Sequence, residues 1–268
     1  MLYTKDNPLR VCTLFSGYDS QCLALERLKK NFPDFDYELV AWYEIDKAAC
    51  VAHNALFPQC KDRNVGDILD VDPHNMPDFD LLTMSSPCQD FSAAGKQAGG
   101  EEGSGTRSSL LWECTKIVEI KRPKYILFEN VAALVSSKFV KGFNKWQSRL
   151  ENFGYSNFAQ LINSKDMGVS QNRLRIYMVS ILRTEDDPNP TFHFPKPFPL
   201  TKKLKDVLEE HVDEKYFLSD KMLEYFKRVD DDDSHGHNFK PKDGEDTAFT
   251  LRTTPGNRVD DNFIKDGN

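Results

Sequence analysis

Apolar and polar positions follow two alternating periods along the first two thirds of the chain. Short apolar runs read as buried strands, and the stretches between them return an apolar residue every third or fourth position, as on one helix face. The first run, Arg10-Val11-Cys12-Thr13-Leu14-Phe15, ends at Ser16-Gly17. Leu25, Leu28 and Phe32 then recur at helical spacing, with Asp19 or Ser20 placed to cap that helix. Residues 38–43 form a second run, and Asp46 can cap a helix from Lys47 to Phe57. Val65-Gly66-Asp67-Ile68 predicts a third short edge, and Leu81 to Met84 a buried strand stopped by Ser85-Ser86-Pro87. Leu110, Cys114, Ile117 and Val118 mark a helix ended by Pro123. Tyr125-Ile126-Leu127-Phe128 is the next strand and delivers Glu129-Asn130-Val131. Phe139, Phe143, Trp146, Leu150 and Phe153 continue a helical stripe that reads as core, closed by Gly154. Strands follow over 155–162 and 175–181. The alternation predicts an α/β fold, a doubly wound sheet with helices on both faces.

The pattern changes at Asp186-Asp187-Pro188-Asn189-Pro190, and prolines recur at Pro195, Pro197 and Pro199. The expected organisation is a large domain over 1–185, a stiff connector over 186–200 and a smaller region over 201–268. That last region offers two short helical segments, around Val207-Leu208 and Met222-Leu223-Phe226, and no convincing core. A chain that is 39% hydrophobic and 29% charged suits a soluble globular protein. No apolar run approaches the roughly 18 residues of a membrane span. The amino terminus lacks the apolar centre of a signal peptide, so a cytoplasmic location is expected. Six cysteines without close pairing read as reduced thiols, and with no CxxC, HExxH or HxxxH pattern no metal is expected. A net charge of −7 argues against non-specific nucleic-acid binding by the whole surface but leaves a local basic face open.

Candidate chemistry collects at strand ends. Cys88 follows the carboxyl end of the Leu81 strand, where open α/β sheets place ligands, and a loop of small residues comes next. Taken alone, a cysteine there is more often a packed core residue than a reactive one. A glycine turn after the first strand with Glu44 at the end of the second is the layout of a nucleotide-binding βαβ unit. Asp67 is either a turn residue or a tip that faces a ligand. Arg173 and Arg175 share one face of an extended chain, as a site pair or as a solvated surface pair.

In order, these motifs resemble those of the DNA cytosine-5 methyltransferases over roughly residues 10 to 182. Leu14-Phe15-Ser16-Gly17 is similar to the family's first motif, and Glu44 and Gly66-Asp67-Ile68 to its second and third. Ser86-Pro87-Cys88-Gln89 with Phe91-Ser92 resembles the catalytic motif. Glu129-Asn130-Val131 resembles the ENV motif, and Gln171-Asn172-Arg173-Leu174-Arg175 the QxRxR motif. The chain departs from the family at Asp19 and Ser20, where further glycines are usual, and neither late motif of the family is found. It is therefore expected to stop early in the target-recognition half and, by itself, to methylate DNA poorly.

The resemblance implies a Rossmann-like methyltransferase fold that uses S-adenosyl-L-methionine, with no metal, on double-stranded DNA. It implies a monomer of prokaryotic or phage origin, with a cognate restriction endonuclease as a possible partner. Cys88 is then the nucleophile that adds to C6 of a flipped-out cytosine. Glu129 holds N3 and the exocyclic amine, Arg175 holds O2, and Arg173 supports the same pocket. The cofactor falls to Phe15, Ser16, Gly17, Tyr18, Asp19, Glu44, Ile45, Asp67, Ile68, Pro87 and Leu110. Substrate contacts fall to Gln89, Ser92, Lys96, Asn130 and Gln171. Two other readings stand beside this one: the same chemistry on RNA, and a cofactor-binding module without turnover. A nicotinamide dehydrogenase could share the βαβ layout but leaves Cys88, Glu129 and the arginines without roles.

Overall fold

The computed structural model describes residues 2–87, 109–230, 241–251 and 262–265. The chain divides into two compact units, Met1–Leu161 with Arg175–Phe194, and Ile162–Leu174 with Pro195–Asn268. The first is built on a six-stranded sheet ordered β2-β1-β3-β4-β6-β5. Strands β1 (Leu9–Leu14), β2 (Tyr37–Tyr43), β3 (Leu81–Met84) and β4 (Tyr125–Val131) run parallel, whereas β6 (Leu174–Leu182) pairs antiparallel with β4. Strand β5 (Tyr155–Asn163) lies beyond β6. The arrangement is a mixed, doubly wound α/β sheet with helices packed on it.

Strand β1 is apolar on both faces because each face meets its own core, as in buried parallel sheets. Leu9 and Val11 pack with Leu39, Trp42 and Phe57, and with Cys22 and Leu25 of α1 (Ser20–Asn31). Cys12 and Leu14 face the other way, toward α3 (Leu110–Lys121) and α4 (Val140–Asn152). Helix α2 (Lys47–Leu56) is capped by Asp46, which accepts from the Ala49 amide as expected. In α4 the aromatic stripe is core: Phe143, Trp146 and Leu150 are buried, and Trp146 sits 4.9 Å from the Phe128 ring. Trp146→Ala should therefore lower unfolding free energy by about 3–5 kcal/mol in urea titration, the scale of a large aromatic cavity.

Two local expectations are corrected. Of the predicted α1 stripe, only Leu25 is buried. Phe32 falls at the C-cap, outside the helix, Leu28 lies on the flank of a Cys22–Leu25 stripe, and both are exposed. Residues 65–67 form no strand, because Gly66 turns the chain at φ +92. A 3-10 turn, Ile68–Asp70, follows it, capped by Asp67, which accepts from the Leu69 amide. At the far end of β6, Arg183 closes α4. Its backbone and Nε both donate to the Gly154 carbonyl, at 2.9 and 3.0 Å, and its Nη2 donates to Glu151 O at 2.7 Å.

The second unit holds 3-10 turns at Leu204–Val207 and Glu214–Tyr216 and the helix α5 (Asp220–Asp230). It does bury residues, contrary to the sequence expectation. Leu204, Phe226 and Ala248 are buried, and Phe226 lies 5.0 Å from the Phe263 ring.

Candidate active site

The parallel strands deliver their carboxyl ends to one edge of the sheet. The chain leaves β1 toward β2 on one side, while β3 lies on the other, so β1 and β3 flank a topological switch point. That crevice is where such sheets bind ligands. After β1 the backbone takes left-handed conformations at alternate residues: Phe15 at φ 55, Gly17 at φ 57 and Asp19 at φ 63. For a bulky residue such as Phe15 this is a strained conformation that the surroundings must impose. Ser16 supplies part of that constraint, being buried with its hydroxyl 2.8 Å from Thr13 Oγ1 and accepting from the Tyr43 amide at 3.2 Å.

Glu44, at the end of β2, ties the turn down from outside. Its Oε2 accepts from the Gly17 amide at 2.9 Å, and its Oε1 accepts from the amides of Ile45 and Asp46, both at 2.8 Å. Tyr18 and Ile45 are exposed, Ile45 at 68%, an unusual exposure for a large aliphatic residue beside a buried sheet edge. A Cβ at Gly17 or at Gly66 would meet nothing within 4 Å. Ile68 is buried, whereas Asp67, Pro87 and Leu110 are half-buried. Asp19 joins this group by its backbone alone. Its carboxylate is wholly buried and turned inward, accepting from Thr13 Oγ1 at 2.9 Å and from the Cys22 amide at 3.0 Å.

Glu129 and Arg175 meet because β6 is antiparallel. Arg175 lies directly across from Val131, and Glu129 across from Tyr177, so the two charged residues are diagonal neighbours on one face. Arg175 Nε stands 3.2 Å from Glu129 Oε1, with both side chains largely shielded from solvent. In a wholly parallel sheet the start of β6 would lie at the opposite edge. Asn130, the next residue, faces the other way and is buried. Its Nδ2 donates to Ser86 O at 3.1 Å and lies 3.2 Å from Ser86 Oγ, so the carboxamide holds the chain beside Pro87 and is not presented to a ligand.

Cys88, Gln89, Ser92 and Lys96 lie outside the described residues. Arg173 and Gln171 belong to the second unit, where Arg173 N donates to Asn163 Oδ1 at 3.0 Å and Gln171 bridges Ala248. Of the six cysteines, five are described, and burial pushes the thiols of all five up, most strongly at Cys12, Cys22 and Cys114. Two polar residues near the crevice went unread in the sequence. Gln21 Nε2 donates to Ser85 Oγ at 3.0 Å, joining α1 to the end of β3. His53 of α2 is completely buried, and the spacing Cys50, His53, Phe57 was the available sign of its inward face. In the second unit Val207, Val212, Tyr216, Phe217, Leu223 and Ile264 help line a cavity of ≈ 690 Å³, which none of the described candidate residues lines. Among the described residues no group of three or more His, Cys, Asp or Glu could hold a metal, and no helix is long and apolar enough to cross a membrane.

Residues 9–259 match the family described as C-5 cytosine-specific DNA methylase. The chain is 48% identical over 161 residues to the type II methyltransferase M2.ScrFI of Lactococcus lactis subsp. cremoris, covering 60% of this chain and 44% of that protein. It is 39% identical over 179 residues to the orphan methyltransferase M.SssI of Spiroplasma monobiae, covering 65% and 45%. The chain thus spans about half the length of the curated relatives it matches. In fold it is similar to a Spodoptera frugiperda DNMT2 mutant, with a TM-score of 0.65 and 23% identity over 89% of this chain and 68% of that one.

Proposed function

The chain belongs to the C-5 cytosine-specific DNA methylase family, and from that premise we propose that it carries the catalytic part of a DNA cytosine-5 methyltransferase. The observation that supports this most is the shielded Glu129–Arg175 pair at the strand edge beside Ser86-Pro87. It sets a carboxylate and a guanidinium where one planar base can meet both. We assign residues 1–185 to the catalytic domain, 186–200 to a connector and 201–268 to the beginning of a target-recognition region. The relatives are named type II and orphan methyltransferases. That supports a role in restriction–modification or phage and host DNA modification. We further propose that the protein acts on double-stranded DNA as a cytoplasmic monomer, with a cognate endonuclease where it serves restriction–modification.

The proposed chemistry begins with the Cys88 thiolate, which adds to C6 of a cytosine flipped out of the duplex. Glu129 shares a proton with N3 as the bond forms and accepts from the exocyclic amine. Arg175 donates to O2, where negative charge grows, and Arg173 supports that pocket. The electron pair moves to C5, which then has the nucleophilicity that cytosine itself lacks. Once C5 has taken up the methyl group, loss of the C5 proton to solvent would expel the Cys88 thiolate and restore the ring, with the N3 proton returned to Glu129. Gln89, Ser92, Lys96 and Gln171 are assigned to the DNA around the flipped base. Asn130 serves by fixing Ser86.

The group at the switch point suits S-adenosyl-L-methionine, which when bound supplies an electrophilic methyl group. Glu44 Oε2 has one backbone donor and room to accept from a ribose hydroxyl. Ile45 stands exposed beside it for an apolar ring, and the space above Gly17 and Gly66 is open. Phe15, Ser16 and Tyr18 with Gly17 would line the methionine end. Asp67 and Ile68, with Pro87 and Leu110, would enclose the base. Glu44→Ala should weaken cofactor binding by roughly 1–3 kcal/mol, the scale of hydrogen bonds to a charged group. Calorimetry that returns unchanged affinity removes Glu44 from the site. The activity is tested by methyl transfer to duplex DNA against tRNA, and transfer to tRNA alone overturns the DNA assignment.

A further inference from the structure

The Asp19 carboxylate is 0% exposed, on a residue held at φ 63, two positions after Gly17. A carboxylate removed from water needs donors on each oxygen, or the fold bears a large desolvation penalty. Oδ1 has the Cys22 amide at the start of α1, where the helix dipole also favours an anion. Oδ2 has the Thr13 hydroxyl and faces His53 Nε2 at 3.6 Å, while the Cys22 thiol also hydrogen-bonds the carboxylate. His53 is likewise 0% exposed and stacked on Trp42, with centroids 3.7 Å apart and planes 15° apart. Neither of its ring nitrogens has a closer hydrogen-bond partner. A buried histidine aimed at a buried carboxylate, with its ring pinned by a tryptophan, is a poor apolar filler but a good donor.

We propose that His53 is a positioning residue for the cofactor turn, presenting Nε2–H to Asp19 Oδ2 and so holding residues 15–19 in their left-handed course. Helix α2 then grips the turn twice. Glu44, just before the helix, takes the Gly17 amide from the ligand side. His53, two turns into the helix, takes Asp19 from the interior. The inference rests on the reading of this crevice as the S-adenosyl-L-methionine site, and its test separates the two.

Affinity for S-adenosyl-L-homocysteine is measured by calorimetry for the wild-type protein, His53→Phe and His53→Gln, with thermal melts alongside. Phenylalanine keeps the ring on Trp42 and loses the donor, whereas glutamine loses the ring and keeps an N–H. The positioning role predicts binding on the order of tenfold weaker in His53→Phe, one hydrogen bond's worth, and recovery of most of it in His53→Gln. A packing role predicts the reverse order, and equal affinity of wild type and His53→Phe overturns the inference alone. A wild-type protein that binds no S-adenosyl-L-homocysteine overturns the cofactor reading and the inference together. The donor is also visible without any ligand or variant. Long-range nitrogen NMR of the His53 ring should show hydrogen on Nε2, and a ring with bare Nε2 overturns the proposal even if a variant fails to fold.

Discussion

A Cys88→Ser protein is expected to fold, bind the cofactor and lose methyl transfer by roughly 10³–10⁶-fold, the scale of removing the nucleophile from a covalent mechanism. A hydroxyl is far less ionised than a thiol at neutral pH and adds poorly to C6. The most deeply buried thiols offer no substitute. Cys12, Cys22 and Cys114 are enclosed in the two cores, and burial holds each of them protonated. DNA carrying 5-fluorocytosine at the target lacks the C5 proton whose loss releases the enzyme. The wild-type protein should therefore stay bonded to it, and peptide mapping should place the adduct on Cys88. An adduct on Cys114, or a crosslink formed by Cys88→Ser, would remove Cys88 from the mechanism.

The second large effect is expected at Glu129. Glu129→Gln keeps the shape of the side chain but neither shares a proton with N3 nor balances Arg175, whose side chain is only 14% exposed. Loss of general acid–base assistance in the transition state is typically worth about 10²–10⁴-fold. The fall should appear in kcat, with cofactor affinity unchanged, because Glu44 and the Gly17 turn lie at the ends of other strands. If single-turnover rates drop less than about tenfold, the carboxylate is not a proton partner.

These two sites differ in how far the sequence disclosed them. Strand ends were legible because apolar runs stop abruptly at Gly17, Glu44 and Pro87, and Asp46 caps its helix through a local spacing that sequence preserves. The direction of β6 was not legible. An apolar alternation reads identically from either end, so nothing local shows that Arg175 returns to Glu129. Asp19 was legible as a cap, but not as a buried carboxylate that faces His53, 34 positions away. A histidine in a short helix gives no sign by itself of what it faces. The expected edge at residues 65–68 failed for a backbone reason: the left-handed Gly66 turns the chain before an extended ladder forms.

Strand β6 alternates strictly, with Ile176, Met178 and Ser180 buried and the odd-numbered residues between them less so. Sliding the strand by two residues would leave every side chain on its own face and seat Arg173 where Arg175 stands. The same charge would still face Glu129. Burial and local charge are therefore degenerate between two registers, and the choice must be made elsewhere. Hydrogen bonds at both ends make it: at the near end Arg173 N donates to Asn163 Oδ1 at 3.0 Å, and at the far end Arg183 adds its own. Arg183 grips Gly154 and Glu151 with three hydrogen bonds, and a two-residue slide would pull it off all of them. A residue at the far end of the strand thus helps to select which arginine faces Glu129.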